Sequence, residues 1–146
     1  MSFSSFSQEA KKIKILYTGI LDTDENKYPG ATILTKDKEG LVKIYHEGAI
    51  LTAKRIILYK KRNFAKAFGN VLIKQGDTIT QNSDYVDYDG NTKKVVSWGN
   101  VVLKDPKMTL KTDTLYFDRQ KQLLFYKNNA IIQDKTNVLK SKIGNY

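Results

Sequence analysis

Gly69-Asn70-Val71-Leu72-Ile73 returns as Gly99-Asn100-Val101-Val102-Leu103, and that recurrence decides the fold class. A weaker copy follows at Asn128-Asn129-Ala130-Ile131-Ile132, and a degenerate one precedes at Gly40-Leu41-Val42-Lys43-Ile44. Val42, Val71, Val101 and Ala130 are thereby spaced by 29, 30 and 29 residues. A second block keeps step: Ser83-Asp84-Tyr85-Val86-Asp87-Tyr88-Asp89 matches Thr112-Asp113-Thr114-Leu115-Tyr116-Phe117-Asp118. Its earlier copy is Ala53-Lys54-Arg55-Ile56-Ile57-Leu58-Tyr59, and a last one opens at Ser141-Lys142-Ile143. From Lys54 through Asp84 and Asp113 to Lys142 the intervals are 30, 29 and 29. Two independent blocks with one period mark a repeat architecture. So short a unit cannot bury its own apolar face, so the units must stack.

Within each unit the pattern is β. Val71 and Ile73 alternate with Leu72 and Lys74, Val86 and Tyr88 with Tyr85 and Asp87, and Leu115 and Phe117 with Thr114 and Tyr116. A period of two places one set on one sheet face. Turn signals separate the runs at Gln75-Gly76-Asp77, Asp89-Gly90-Asn91, Lys104-Asp105-Pro106 and Lys127-Asn128-Asn129. A third strand per unit is expected at 63–68, 93–98 and 122–127, with Phe64, Phe68, Val96 and Trp98 competing with Ala65, Ala67 and Val95 for the inside. No segment has convincing helical periodicity, and Lys12-Ile13-Lys14-Ile15 reads as the opening strand. These patterns predict an all-β domain over residues 11–146, preceded by a flexible leader at 1–10. Its apolar interior holds Val42, Ile44, Ile56, Leu58, Val71, Ile73, Val86, Tyr88, Val101, Leu103, Leu115, Phe117 and Ile132.

Composition narrows the chemistry. The 146 residues fit one domain and contain no cysteine, which excludes disulfides and thiolate metal sites. The formal net charge of +10 attracts polyanions such as nucleic acid, anionic lipid surfaces or phosphorylated glycolipids, without choosing among them. Lysines that solubilise strand faces and edges account for the same excess. No apolar run approaches the roughly 20 residues that span a bilayer. Met1-Ser2-Phe3-Ser4-Ser5-Phe6-Ser7 lacks the basic and apolar regions of an export signal, which leaves a cytoplasmic chain, favoured by composition alone, or an exported one whose signal has been removed. His46 is the single histidine, so a zinc site has no ligand set, and its place beside Glu47-Gly48 calls for no special chemistry. Asp84, Asp87 and Asp89 lack calcium-loop spacing, and the recurrence of Asp84 as Asp113 predicts a structural turn or a contact between stacked units instead. Neither a phosphate-binding glycine loop nor a nucleophile elbow is present.

The ordered blocks resemble OstA-like proteins of the LptA type. The resemblance is carried by the Gly-Asn-Val strands, Gly76-Asp77-Thr78-Ile79-Thr80, Asp84 to Lys93, and Thr109 to Leu115. It is carried as well by Tyr28-Pro29-Gly30-Ala31, Tyr45-His46-Glu47-Gly48-Ala49 and Ala67-Phe68-Gly69-Asn70-Val71. It runs from about Lys11 to Tyr146 and is closest to the branch found in Bacteroidetes. The resemblance implies a twisted β-jellyroll of stacked V-shaped strand pairs. It also implies a non-catalytic, exported, periplasmic protein without cofactor, its export signal removed. Such proteins bind lipopolysaccharide or a related glycolipid for transport or outer-membrane assembly, join other envelope-transport proteins of the same fold, and self-associate head to tail. The end at Ile143-Gly144-Asn145-Tyr146 falls partway through a unit, which predicts either a short member or a fragment with further repeats or a C-terminal domain beyond it.

A glycolipid carrier needs an apolar channel for acyl chains, at about 0.8 kcal/mol per buried CH₂. The interior residues named above are its candidates, and a simply closed core is the plainer alternative. It also needs cations for phosphate. Lys60-Lys61-Arg62, with Lys54 and Arg55 upstream, are the best, although a solvated loop between strands is the plainer reading of them. Two rivals stand beside this reading. A basic β protein for nucleic acid or another polyanion would interleave exposed aromatics with Lys and Arg, whereas Tyr85, Tyr88, Tyr116 and Phe117 are expected to follow the buried alternation, so no nucleic acid is expected. A carbohydrate-active enzyme would need a facing carboxylate pair, and none stands out.

Overall fold

The alternating runs become strands throughout. A computed structural model describes residues 11–134 and 138–145, and the expected leader at 1–10 lies outside them. In chain order the strands are β1 (Lys14–Tyr17), β2 (Ile20–Asp22), β3 (Thr32–Thr35), β4 (Val42–His46), β5 (Ala49–Ala53) and β6 (Arg55–Tyr59). The longer β7 (Phe64–Gln75), β8 (Ile79–Asp89), β9 (Lys94–Lys104), β10 (Met108–Asp118), β11 (Leu123–Asp134) and β12 (Val138–Asn145) follow. All pair antiparallel in one 12-stranded sheet, and no helix occurs among the described residues.

The sheet is creased along its length into two facing walls. Residues 72–75 of β7 pair with β5, while residues 64–68 pair with β6. One strand thus serves both walls, and β8 to β11 repeat the arrangement. At the N-terminal end the layers are split: β5 and β6 flank Lys54, β4 and β3 form the next layer, and β1 and β2 the outermost.

The crease is made by the residues that announced the repeat. Gly69 and Asn70 have φ of 83° and 49°, and Gly99 and Asn100 have 80° and 51°. Two successive left-handed residues on β7 and β9 insert one residue more than β8 carries, a β-bulge that bends the strand. Lys54 N donates to Gly69 O at 3.0 Å, and Asn100 Nδ2 donates to Asp84 Oδ2 at 3.0 Å, so stacked units do touch through the recurring Asp84 position. The opposite rim stacks likewise. Gly90 N donates to Asn63 O at 2.7 Å and Arg119 N to Lys93 O at 3.0 Å, with Asn63, Lys93 and Gln122 all at positive φ in their turns.

Two sequence expectations are corrected here. The runs at 63–68, 93–98 and 122–127 are not separate strands; they continue through the crease into the Gly-Asn-Val runs as single strands. Lys127-Asn128-Asn129 is therefore no turn, but the register-shifted crease of β11. A turn signal and a bulge signal use the same residues, because both need left-handed backbone.

Inside, Ala65, Ala67 and Val95 win the competition for the interior, while Phe64, Phe68, Val96 and Trp98 are only partly buried. Rows from the two walls, such as Leu34-Ile56-Ala67-Val86 on one and Ile44-Leu51-Ile73 on the other, merge into one apolar cluster. The interior is not wholly apolar: Gln81, Ser83, Ser97 and Thr112 are buried too, and Gln81 of one wall donates to Ser97 of the other. A smaller cluster of Ala31, Ile33 and Ile57 lies apart from this interior, with Tyr28, Tyr59 and Phe68 packed against it.

Candidate functional site

The space between the walls changes character along the stack. Toward the N-terminal end, Ile44, His46, Ala49, Leu51, Ile73 and Tyr88 line a space of only about 10 Å³, room for roughly one water. Toward the C-terminal end, Ile79, Leu103 and Asp105 of one wall face Phe117, Gln122 and Leu124 of the other across a cleft of about 250 Å³. A depression of about 320 Å³ also lies among Val96, Tyr116, Leu123 and Phe125, with Val95 and Phe117 of the interior at its floor.

The closed part is tied shut across its rims. Arg119, in the turn after β10, is 9% exposed and reaches the opposite rim. Its Nη2 donates to Glu47 O at 2.7 Å, its Nη1 to Tyr88 Oη at 2.7 Å and to His46 O at 3.3 Å, and its Nε to Gln75 Oε1 at 2.9 Å. Residues 11–13 cross the same mouth. Ile13 N donates to Asn63 Oδ1 at 2.8 Å, and Lys11 O accepts from Asn63 Nδ2 at 2.8 Å.

His46 joins the two ties. Its Nε2 lies 2.9 Å from Lys11 O and its Nδ1 lies 2.5 Å from Tyr88 Oη. A carbonyl only accepts, so Nε2 carries the proton and Nδ1 accepts from the Tyr88 hydroxyl. The bonds then run in one direction, from Arg119 to Tyr88 to His46 to Lys11. Burial depresses the imidazole pKa. The Lys11 carbonyl and Glu47 oppose that shift, while the Arg119 and Lys93 charges add to it. Burial raises the Tyr88 pKa, against the stabilising charge of Arg119. Lys93 Nζ sits 3.2 Å from Glu47 Oε1 on the same rim.

The structure brings the predicted interior residues together. Val42, Ile44, Ile56, Leu58, Val71, Ile73, Val86, Tyr88, Val101, Leu103, Leu115 and Phe117 are buried in the main cluster, and the half-buried Ile132 packs against it. Leu103 and Phe117 line the cleft, whereas Ile44, Ile73 and Tyr88 line the closed cavity. The predicted cations are not brought together. Exposed Lys54 and Arg55 lie at the crease, while exposed Lys60, Lys61 and Arg62 lie in a rim turn, roughly 20 Å further along the strand. Arg62 spreads over the Tyr59 and Phe64 rings at 4.9 and 5.0 Å, which holds it against the outer face.

Tyr85 and Tyr116 depart from the expected burial. Tyr85 is 42% exposed on the outside, stacked at 5.5 Å on Trp98 and edge-on to Phe68, and Tyr116 tilts against Phe125. Asp87, on the same outer face, lies 3.8 Å from Lys66 Nζ, and Arg62 and Lys66 lie over the Phe64 ring, so acidic and basic side chains both interrupt this aromatic surface. Sequence reasoning missed Arg119, Gln75 and Asn63, and gave His46 no role. One signal was available: Arg119 occupies the turn position that holds Gly90 in the preceding unit. No cluster of metal-ligating side chains occurs among the described residues.

Comparison with known proteins agrees with this architecture. A solved structure titled as LptH, the LptA-homologous periplasmic component of the lipopolysaccharide transport device of Pseudomonas aeruginosa, superposes with a TM-score of 0.67. The match covers 90% of this chain and 94% of that one at 13% identity, a likeness of fold. No curated protein matches the chain. The family described as OstA-like protein matches residues 10–146. Nearly the whole chain is thus accounted for, and it belongs to the OstA-like protein family.

Proposed function

We propose that this chain is a non-catalytic periplasmic protein that carries lipopolysaccharide or a related glycolipid, holding acyl chains in the cleft beside Leu103, Phe117 and Leu124. The observation that carries the reading is an apolar cleft open between the two walls of an OstA-like fold. Each methylene seated there gains about 0.8 kcal/mol, so a few buried carbons outweigh the cost of ordering a chain end. The LptH likeness supports a place in lipopolysaccharide transport. Lys60 and Lys61 are exposed in the β6–β7 rim turn, toward the closed half, and Lys107 and Lys121, exposed in the turns beside Asp105 and Gln122, are the cations nearer the cleft to meet phosphate.

Joining to like-folded partners follows the same logic. Among the described residues, β1 and β2 each pair on one side only and so offer open backbone edges. Leu16, Ile20 and Leu21 are 51%, 54% and 58% exposed on that end layer, which is apolar surface a neighbouring layer would cover.

The test uses adjacent residues of opposite facing. Photo-crosslinkers are placed in cells at Leu103, which faces inward, and at Val102, which faces outward. Capture of lipopolysaccharide from position 103 and not from 102 is expected. Equal capture, or none at 103 and at a second cleft position such as 124, removes the carrier reading and leaves a scaffold.

A further inference from the structure

We infer that Arg119, Tyr88 and His46 form a proton-sensitive latch that decides whether the N-terminal half of the interior admits an acyl chain. The inference rests on the carrier reading above and adds a second, closed site to it. The latch joins three separate pieces of the rim: the β10–β11 turn, the β4–β5 hairpin and residues 11–13. Beneath it lie Ile44, Ala49, Leu51 and Ile73, apolar on all sides but with space for no more than about 10 Å³. A hydrocarbon chain enters there only if the rims part.

His46 is where a proton would act. In the neutral ring Nδ1 accepts the Tyr88 proton. A proton on Nδ1 turns that acceptor into a donor, so the Tyr88 oxygen faces N–H groups from both His46 and Arg119 and its own hydrogen loses its partner. The charged groups facing the ring are Arg119 from the β10–β11 turn, Lys93 from the β8–β9 turn and Glu47 from its own hairpin. An imidazolium 3.5 Å from Glu47 Oε2 would compete with Lys93 for that carboxylate and add a third cation beside Arg119, which weakens the hold on Arg119 at a rim where Lys93 and Glu47 are partly exposed. Residues 11–13 would loosen with it, since the Lys11 carbonyl is bound to the same ring. The depressed basicity of the ring places the change on the acid side of an ordinary histidine, below about pH 6.5.

Because His46 is the only histidine, the test is clean. Binding of N-phenyl-1-naphthylamine, an uncharged apolar dye, is titrated at pH 8 and at pH 5, with Trp98 emission and circular dichroism as checks that the fold persists. The wild type is expected to bind one class of dye at pH 8, in the open cleft, and to gain a second class at pH 5. His46→Gln keeps the first class and gains nothing on acidification. Arg119→Ala shows both classes at both pH values, which decides the matter even if His46→Gln fails to fold. A second class that survives acidification in His46→Gln, or is absent from Arg119→Ala at pH 8, overturns the latch. Binding at pH 8 with no acid-induced gain removes the latch alone, whereas no binding at either pH removes the carrier reading.

Discussion

The two halves of the interior come from one repeat and end in different states. Around β3 to β7, Leu34, Val42, Ile44, Leu51, Ile56, Leu58 and Val71 meet across the crease and leave almost no space. Around β8 to β11, Leu103 and Phe117 occupy equivalent positions yet face each other across a cleft of about 250 Å³. The residue types along the walls do not explain this, since Val71-Leu72-Ile73 and Val101-Val102-Leu103 are near copies. What differs lies at the rims. Arg119 and residues 11–13 tie the N-terminal mouth, and no such tie is seen at the mouth between Asp105 and Gln122 among the described residues. Similar walls therefore make a core or a cleft according to what crosses the mouth.

The largest test of that contrast is truncation on either side. Ile56→Ala, in the filled half, should cost about 3–4 kcal/mol in urea unfolding, because the lost contacts leave a sealed void. Leu103→Ala, on the cleft wall, should cost only about 2 kcal/mol, since solvent already reaches the space it vacates. Equal losses would mean that the cleft is as tightly packed as the core. Next in size is Arg119→Ala. It leaves Gln75, Tyr88 and two backbone carbonyls without their donor, and a loss of about 2 kcal/mol is expected. Hydrogen exchange should rise at residues 11–13 while β10 stays protected.

The crease offers a finer comparison. A Cβ at Gly99 would lie 2.8 Å from Asp84 Cβ, whereas one at Gly69 would meet the flexible Lys54 side chain at 3.0 Å. Both positions have positive φ, so both alanine variants are strained by roughly 1 kcal/mol, and Gly99→Ala should melt lower than Gly69→Ala. The reverse order would place the stiffer crease at β7.

The smallest effects separate the halves by pH. His46 has a depressed folded pKa, so the unfolded chain takes up its proton first. Stability is complete above about pH 6.5 and falls as pH drops below it. Asp37, which accepts from Tyr17 Oη at 2.6 Å on the outer N-terminal layers, is also depressed, while Tyr17 is pushed up to about 12. The Asp37 contribution is present above about pH 4 and is lost as pH falls through its lower folded value. Acid titration of hydrogen exchange should therefore show the latch region loosening first and the β1–β3 edge later. A single transition at both places would contradict independent ties.

Much of this was legible in the residues. The spacing of Val42, Val71, Val101 and Ala130 yields the stack, and the alternation at Val86-Tyr88 and Leu115-Phe117 yields the inward rows, because period and parity are local properties of a strand. The third run resisted, since Ala65 and Phe64 are both apolar, and the outer aromatic surface of Phe68, Tyr85 and Trp98 looks like core when read along one strand. Lys54 and Lys60 are neighbours in sequence but sit at the crease and the rim, because an extended strand carries them apart.

By itself, the sequence determined the period and most of the strand faces, since each depends on residues adjacent along the chain, whereas the crease, built on a backbone angle that Gly and Asn tolerate, reads locally as a strand break or a turn. The tertiary structure alone decided which half of the interior is shut. Arg119, His46 and Lys11 are 73 and 35 residues apart, and no local pattern states that a guanidinium from one turn will find a carbonyl on another. Their meeting depends on how far the walls close, which is a property of the whole stack.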